Sequence, residues 1–75
     1  MVDPRQKCAV GPMAHAKRRF LERGLSQTDL ERMVRRGRWV AEGGVHYDVV
    51  YRRWHLKVKL LRCLIRVKTA FEEGR

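Results

Sequence analysis

A change of residue chemistry at Gly37 constrains this chain more than any other feature. Residues 13 to 36 are rich in Met, Ala, Lys, Arg, Leu and Glu, good helix formers, whereas residues 38 to 71 turn to β-branched and aromatic side chains in alternation with charges. Helical periodicity followed by period-two alternation predicts an α+β domain with its helices first. Seventy-five residues make one such domain, able to bury only about 60% of its unfolded surface, so a deep substrate cavity is not expected.

The elements can be placed from their start and stop signals. Residues 1 to 12 hold two prolines and a glycine among few apolar anchors, and read as a flexible arm. Residues 13 to 23 predict a first helix with Met13, Ala16 and Phe20 inward, stopped by Gly24 as a left-handed cap. Ser26 predicts the start of a second helix over residues 27 to 36, accepting from the Asp29 amide, with Leu30, Met33 and Val34 as its core face. Trp39-Val40-Ala41 predicts a strand, followed by the glycine turn Glu42-Gly43-Gly44-Val45. Further on, Leu56, Val58 and Leu60 alternate with Lys57 and Lys59, and Ile65, Val67 and Thr69 alternate with Arg66 and Lys68. The connections near Arg53 and Arg62 hold no Gly, Pro, Asn or Asp, and Leu60, Leu61, Leu64 and Ile65 also fit a helical spacing. That terminal helix is the rival assignment, disfavoured because Lys57 and Lys68 would point opposite to Arg62 and Arg66 and spoil its apolar stripe. The domain is expected to span residues 13 to 71, with residues 72 to 75 as a tail.

Charge narrows the partner. Lys and Arg number 18 against 8 Asp and Glu, a formal +10, which predicts a polyanionic partner; the preponderance of Arg favours nucleic acid over an anionic membrane or an acidic protein. With Leu56, Val58, Ile65 and Val67 inward, Lys57, Lys59, Arg66 and Lys68 share the opposite sheet face and are read as RNA-binding, with no carboxylate between them along these strands. Tyr51 and Trp54 are read as base-stacking side chains, and Trp39, Tyr47 and Phe71 as core. Residues 56 to 67, the most apolar stretch, are broken by four cations, and the N-terminus lacks the apolar core of a secretory signal. Cys8 and Cys63 lie far apart with no CxxC pair and no histidine at metal-ligand spacing, which reads as two free thiols in a reducing cytoplasm, without metal or cofactor.

His15, Arg19 and Arg23, spaced four apart, form one polar column on the first helix, suited to a phosphate. The pattern His15-Ala16-x-x-Arg19-Phe20-x-x-Arg23-Gly24-Leu25, the capped second helix, the glycine-turned hairpin and the closing Val67-Lys68-Thr69-Ala70-Phe71 resemble a small bacterial domain family. That family is related to the RelE-like and BrnT-like toxins of the barnase, EndoU, colicin and RelE group of ribonucleases. The resemblance covers residues 13 to 71 and implies two N-terminal helices on a four-stranded antiparallel sheet. It also implies metal-independent RNA cleavage, with His15, Arg19, Arg23 and Thr69 as the positions that match. Such cleavage needs a base, an acid and cations at the phosphate, and His55 is the further acid–base candidate. The function expected is that of a ribonuclease toxin acting on RNA, free or ribosome-associated, and restrained by an acidic antitoxin or immunity-type protein. The alternative is a non-catalytic nucleic-acid-binding or protein-interaction module of the same fold.

Overall fold

The computed structural model describes residues 8–73. Helix α1 (Ala14–Glu22) starts from Met13 and stops where Gly24 turns left-handed at φ +74°. Helix α2 (Gln27–Arg36) opens with the expected cap: Ser26 Oγ accepts from the Asp29 amide at 3.2 Å, and the Asp29 carboxylate accepts from the Ser26 amide at 2.9 Å. Ser26 thereby satisfies an amide that the first turn leaves without a partner. The Ser26 amide, and then the Ser26 hydroxyl that donates to the same carboxylate at 3.0 Å, hold the Asp29 carboxyl below its ordinary pKa.

The sheet corrects the expected architecture. Five strands, β1 (Ala9–Pro12), β2 (Arg38–Gly43), β3 (His46–Tyr51), β4 (Trp54–Leu61) and β5 (Leu64–Glu72), lie in the order β1-β5-β4-β3-β2. The last four run antiparallel, but β1 pairs parallel with β5, so the sheet is mixed and five-stranded rather than four-stranded and antiparallel. Residues 9 to 12 thus belong to the sheet and not to an arm; the remainder of the expected arm, residues 1 to 7, lies outside the described residues. A four-residue strand containing Gly11 and Pro12 carries no readable alternation. It is placed by tertiary contacts: Val10 enters the core beside Ile65, Gln27 Nε2 donates to the Val10 carbonyl at 2.6 Å, and the Met13 amide donates to the Val67 carbonyl at 3.0 Å. Pro12 is tolerated because β1 is an edge strand.

Cys8 and Cys63 form a disulfide, with Cα atoms 4.6 Å apart. They are therefore not the free thiols expected from their sequence separation. Cys63 sits in the turn between β4 and β5, and the bridge pins the start of β1 to the end of that hairpin, where the Ala9 amide also donates to the Cys63 carbonyl. A disulfide is characteristic of oxidising compartments, so the cysteines no longer argue for a cytoplasmic location. No helix among the described residues is long and apolar enough to cross a membrane.

Residues 56 to 68 are two strands, not a helix. The turns at Arg52-Arg53 and Arg62-Cys63 are two-residue hairpin loops, closing the pairs Tyr51 with Trp54 and Leu61 with Leu64. Both turns have a positive φ of 55° at their leading arginine, the hand that matches strand twist. An L-residue there costs on the order of 1 kcal/mol, which is why the residue types gave no turn signal. The core lies between the helices and one sheet face, where Val34, Val49, Leu56, Val58, Ile65 and Val67 are fully buried. Trp39 closes one margin, its Nε1–H donating to the Val34 carbonyl at 2.9 Å.

Candidate nucleic-acid interface

The helices cover one face of the sheet and leave the other open. Strand alternation puts Lys57, Lys59 and Arg66 on that open face, as expected, and the register sets them in rows. Lys59 lies between His46 and Arg66, Lys57 between Asp48 and Thr69, and His55 between Val50 and Phe71. A register shift on β5 leaves Lys68 as an extra residue between Val67 and Thr69. This bulge inverts the alternation beyond it: Ala70 enters the core, and Phe71, expected there, lies on the open face at 42% exposure, stacked on His55 at 4.9 Å between ring centroids.

The face is electrostatically divided. At one end Lys59 and Arg66 sit directly opposite each other, and Lys68 Nζ donates to His46 Nδ1 at 2.9 Å. Among the described residues, no carboxylate pairs with any of these three cations. Lys57, expected to belong with them, is instead neutralised by Glu42 at 2.7 Å and by Asp48 at 3.6 Å. The hydrogen bond to Glu42 raises its ammonium pKa. The anions that alternation along β4 and β5 could not reveal come from β2 and β3.

At the other end is a carboxylate–imidazole–carboxylate chain. His55 Nδ1 lies 3.0 Å from Asp48 Oδ2, and Nε2 lies 2.9 Å from Glu73 Oε2; the side chains of His55 and Asp48 are only 18% and 14% exposed, that of Glu73 68%. With a carboxylate at each nitrogen, the ring makes both bonds as donor only as an imidazolium. The hydrogen bond to Glu73, then that to Asp48, raise its pKa above the ordinary 6.5. The second Asp48 oxygen, Oδ1, is buried without a hydrogen-bond partner, which favours keeping both cations beside it. Because folding raises this pKa, His55 contributes stability that is fully present below about 6.5 and is lost as pH rises through the folded value. A His55→Gln variant should therefore show a flatter melting temperature across that interval than the wild type. Parallel profiles for the two proteins would place the ion pairs outside the folding equilibrium.

The remaining candidates do not converge on one point. His15 and Arg19 share the exposed side of α1 as their spacing requires, while Arg23 is the C-terminal cap of that helix. Glu22 pairs with Arg18 at 3.8 Å and Glu42 with Lys57, and among the described residues neither forms an ion pair with Arg23. Thr69 is half-buried on the sheet beside Lys57, and His55 lies within β4 on the open face. The proposed catalytic set is thus split between an exposed helix and the sheet face that the helices do not cover. Tyr51 and Trp54 fall on the helix side of the sheet at its margin, packed against the core and away from the cationic rows. Among the described residues, no group of three or more His, Cys, Asp or Glu side chains is arranged to hold a metal ion.

Compared with models of known families, curated proteins and solved structures, the chain matches none. Asp48 and Glu73 are the residues that sequence reasoning passed over. A two-residue turn at Arg52-Arg53, once assumed, sets Asp48 opposite Lys57 and Val50 opposite His55, and would have exposed the network.

Proposed function

We propose that the open face of the sheet binds RNA through its phosphates. The observation that supports this reading is the meeting of Lys59, Arg66 and Lys68 on neighbouring strands without a carboxylate partner among the described residues. Like charges set directly opposite destabilise a sheet, so an anion that neutralises them recovers the cost. A chain of net charge +10 supplies the long-range attraction, and Arg66 adds a planar fork for phosphate oxygens.

If Lys59 and Lys68 each neutralise a phosphate of single-stranded RNA, replacing both with alanine should flatten the plot of log affinity against log salt by about 1.4, from a slope of about −0.7 per contact. Affinity at low salt should fall at least tenfold, with thermal stability level or higher as repulsion is relieved. Unchanged affinity and slope in a folded double variant would make this end of the face a solvated surface. Binding of an acidic protein in place of RNA would assign the same cations to the antitoxin-type partner.

A second reading, metal-independent RNA cleavage by a toxin of the RelE-like kind, is favoured by the imidazole that Asp48 orients. Orientation by a carboxylate is what a general acid–base histidine needs. Glu73 must leave Nε2 for His55 to act, and its exposure makes that movement inexpensive. RNA shortened in the presence of EDTA, with the activity lost in His55→Ala, supports cleavage; RNA retained at full length leaves binding as the function. Loss of cleavage in His15→Ala or Arg19→Ala would place the centre on α1 instead.

A further inference from the structure

Tyr51 and Trp54, separated from the cationic rows, stand at the opposite pole of the sheet among other residues. A cleft of about 570 Å³ between the end of α1 and the end of β5 is lined by Arg23, Trp54, Phe71 and Glu72. A second, of about 190 Å³, shares Trp54 and is bordered by Tyr51, Arg52 and Arg32. Trp54 thus lines two adjoining depressions, each with at least one arginine. We propose that this pole holds an unpaired nucleotide of single-stranded RNA, its base stacked on Trp54 and its flanking phosphates on Arg23 and Arg52.

Physical chemistry favours this occupant over a helical one. Bases within an A-form duplex are stacked on one another and turn their edges, not their faces, outward, so only an unpaired base can offer a face to an indole. Base–aromatic stacking is indifferent to sequence, and arginine beside a ring adds a cation to the same platform. Arg52 is presented for that purpose: its guanidinium lies 5.4 Å from the centroid of the Tyr51 ring, at the tip of the β3–β4 turn. Arg23 is exposed at the end of α1. Arg32 is engaged by Asp29 at 3.5 Å and is not assigned a phosphate. The proposal gives Arg23, first read as one of a catalytic column, a role with Trp54 rather than with His15.

This inference rests on the RNA reading above, and the experiment separates the two. The full chain is titrated with an eight-nucleotide oligoadenylate, with a duplex of equal length, and with adenosine monophosphate, following tryptophan emission and salt dependence. The wild type should prefer the single strand, and both single strand and mononucleotide should quench emission. Trp54→Leu should weaken single-strand binding about tenfold, abolish the preference over duplex and the quenching, and leave the salt slope unaltered. Trp54→Phe should keep most of the affinity. Should Trp54→Leu fail to fold, Arg23→Glu, at an exposed position, is expected to weaken oligonucleotide and mononucleotide alike. Equal affinity of the wild type for single strand and duplex, or unaltered quenching in Arg23→Glu, would overturn the cleft while leaving phosphate binding by Lys59, Arg66 and Lys68 intact. If the wild type binds neither RNA, the mononucleotide arm decides the cleft alone: no quenching overturns it.

Discussion

Replacing Cys8 and Cys63 together by alanine is expected to lower the stability of the protein by about 3 kcal/mol. The bridge closes a loop over 55 positions of sequence, for which loss of unfolded-chain entropy gives an upper value of about 4 kcal/mol. Part of that gain is spent in ordering β1, which contributes little apolar burial besides Val10. For a chain of this size 1 kcal/mol corresponds to roughly 4–8 °C in melting temperature, so a fall of about 15 °C is expected, and a reductant should bring the wild type to the same midpoint. Amide exchange should accelerate first in β1, whose hold on β5 is only four residues long. Since the cationic rows lie on β3, β4 and β5, the variant should keep its salt-dependent affinity for RNA below its melting temperature. A midpoint within about 3 °C of the wild type would mean that packing of Val10 and the bond from Gln27 hold β1 unaided.

Local chemistry made the helices legible and left the sheet edges obscure. Ser26 and Asp29 cap α2 by contacts within one turn, so four residues of sequence determine them. β1 has no such local determinant: its position depends on Cys63, Ile65 and Gln27, all distant in sequence. The inward set on β4 was read correctly because Leu56, Val58 and Leu60 alternate without interruption. On β5 the alternation fails at Lys68, where an extra residue exchanges the faces of Thr69, Ala70 and Phe71. A bulge carries no residue-type signal when it falls on Lys-Thr.

The site follows the same division. That Lys57, Lys59, Arg66 and Lys68 share one face was readable from period two, whereas their neutralisation was not, because a cross-strand partner depends on register. Asp48 became the centre of the face through the tight β3–β4 turn led by Arg52 at positive φ, a position that arginine seldom occupies. Helical spacing puts His15 and Arg19 on one exposed side of α1, with Arg23 at its C-terminal cap, but spacing within one helix cannot report what lies across from it. The structure gives that answer only for Arg23, which lines the Trp54 cleft.

Gly37→Ala is expected to cost about 3 kcal/mol, comparable to removing the disulfide, through a different cause. The φ of Gly37 is −73°, a value open to any residue, so conformational freedom is not what glycine supplies here. Space is. A Cβ at this position would lie 2.5 Å from the Met33 carbonyl oxygen, 2.6 Å from Val49 Cγ1 and 3.1 Å from the Val50 carbonyl oxygen. Two of these three atoms are backbone, one at the end of α2 and one in β3. The third belongs to a fully buried valine, so relief requires the helix to move off the strand. Such overpacking costs about 1–3 kcal/mol and more where backbone must yield, and the Gly37 amide also closes α2 on the Met33 carbonyl at 2.7 Å. A midpoint lower by about 15 °C in thermal unfolding is the expected result. Gly24→Ala provides the contrast, since φ there is +74° and nothing lies within 4 Å of its Cβ; strain alone should cost about 1 kcal/mol. Combining Gly37→Ala with Val49→Ala should not restore stability, because it removes the side-chain clash and leaves both carbonyls. Restoration in that double variant would show that Val49 alone sets the approach of α2 to the sheet.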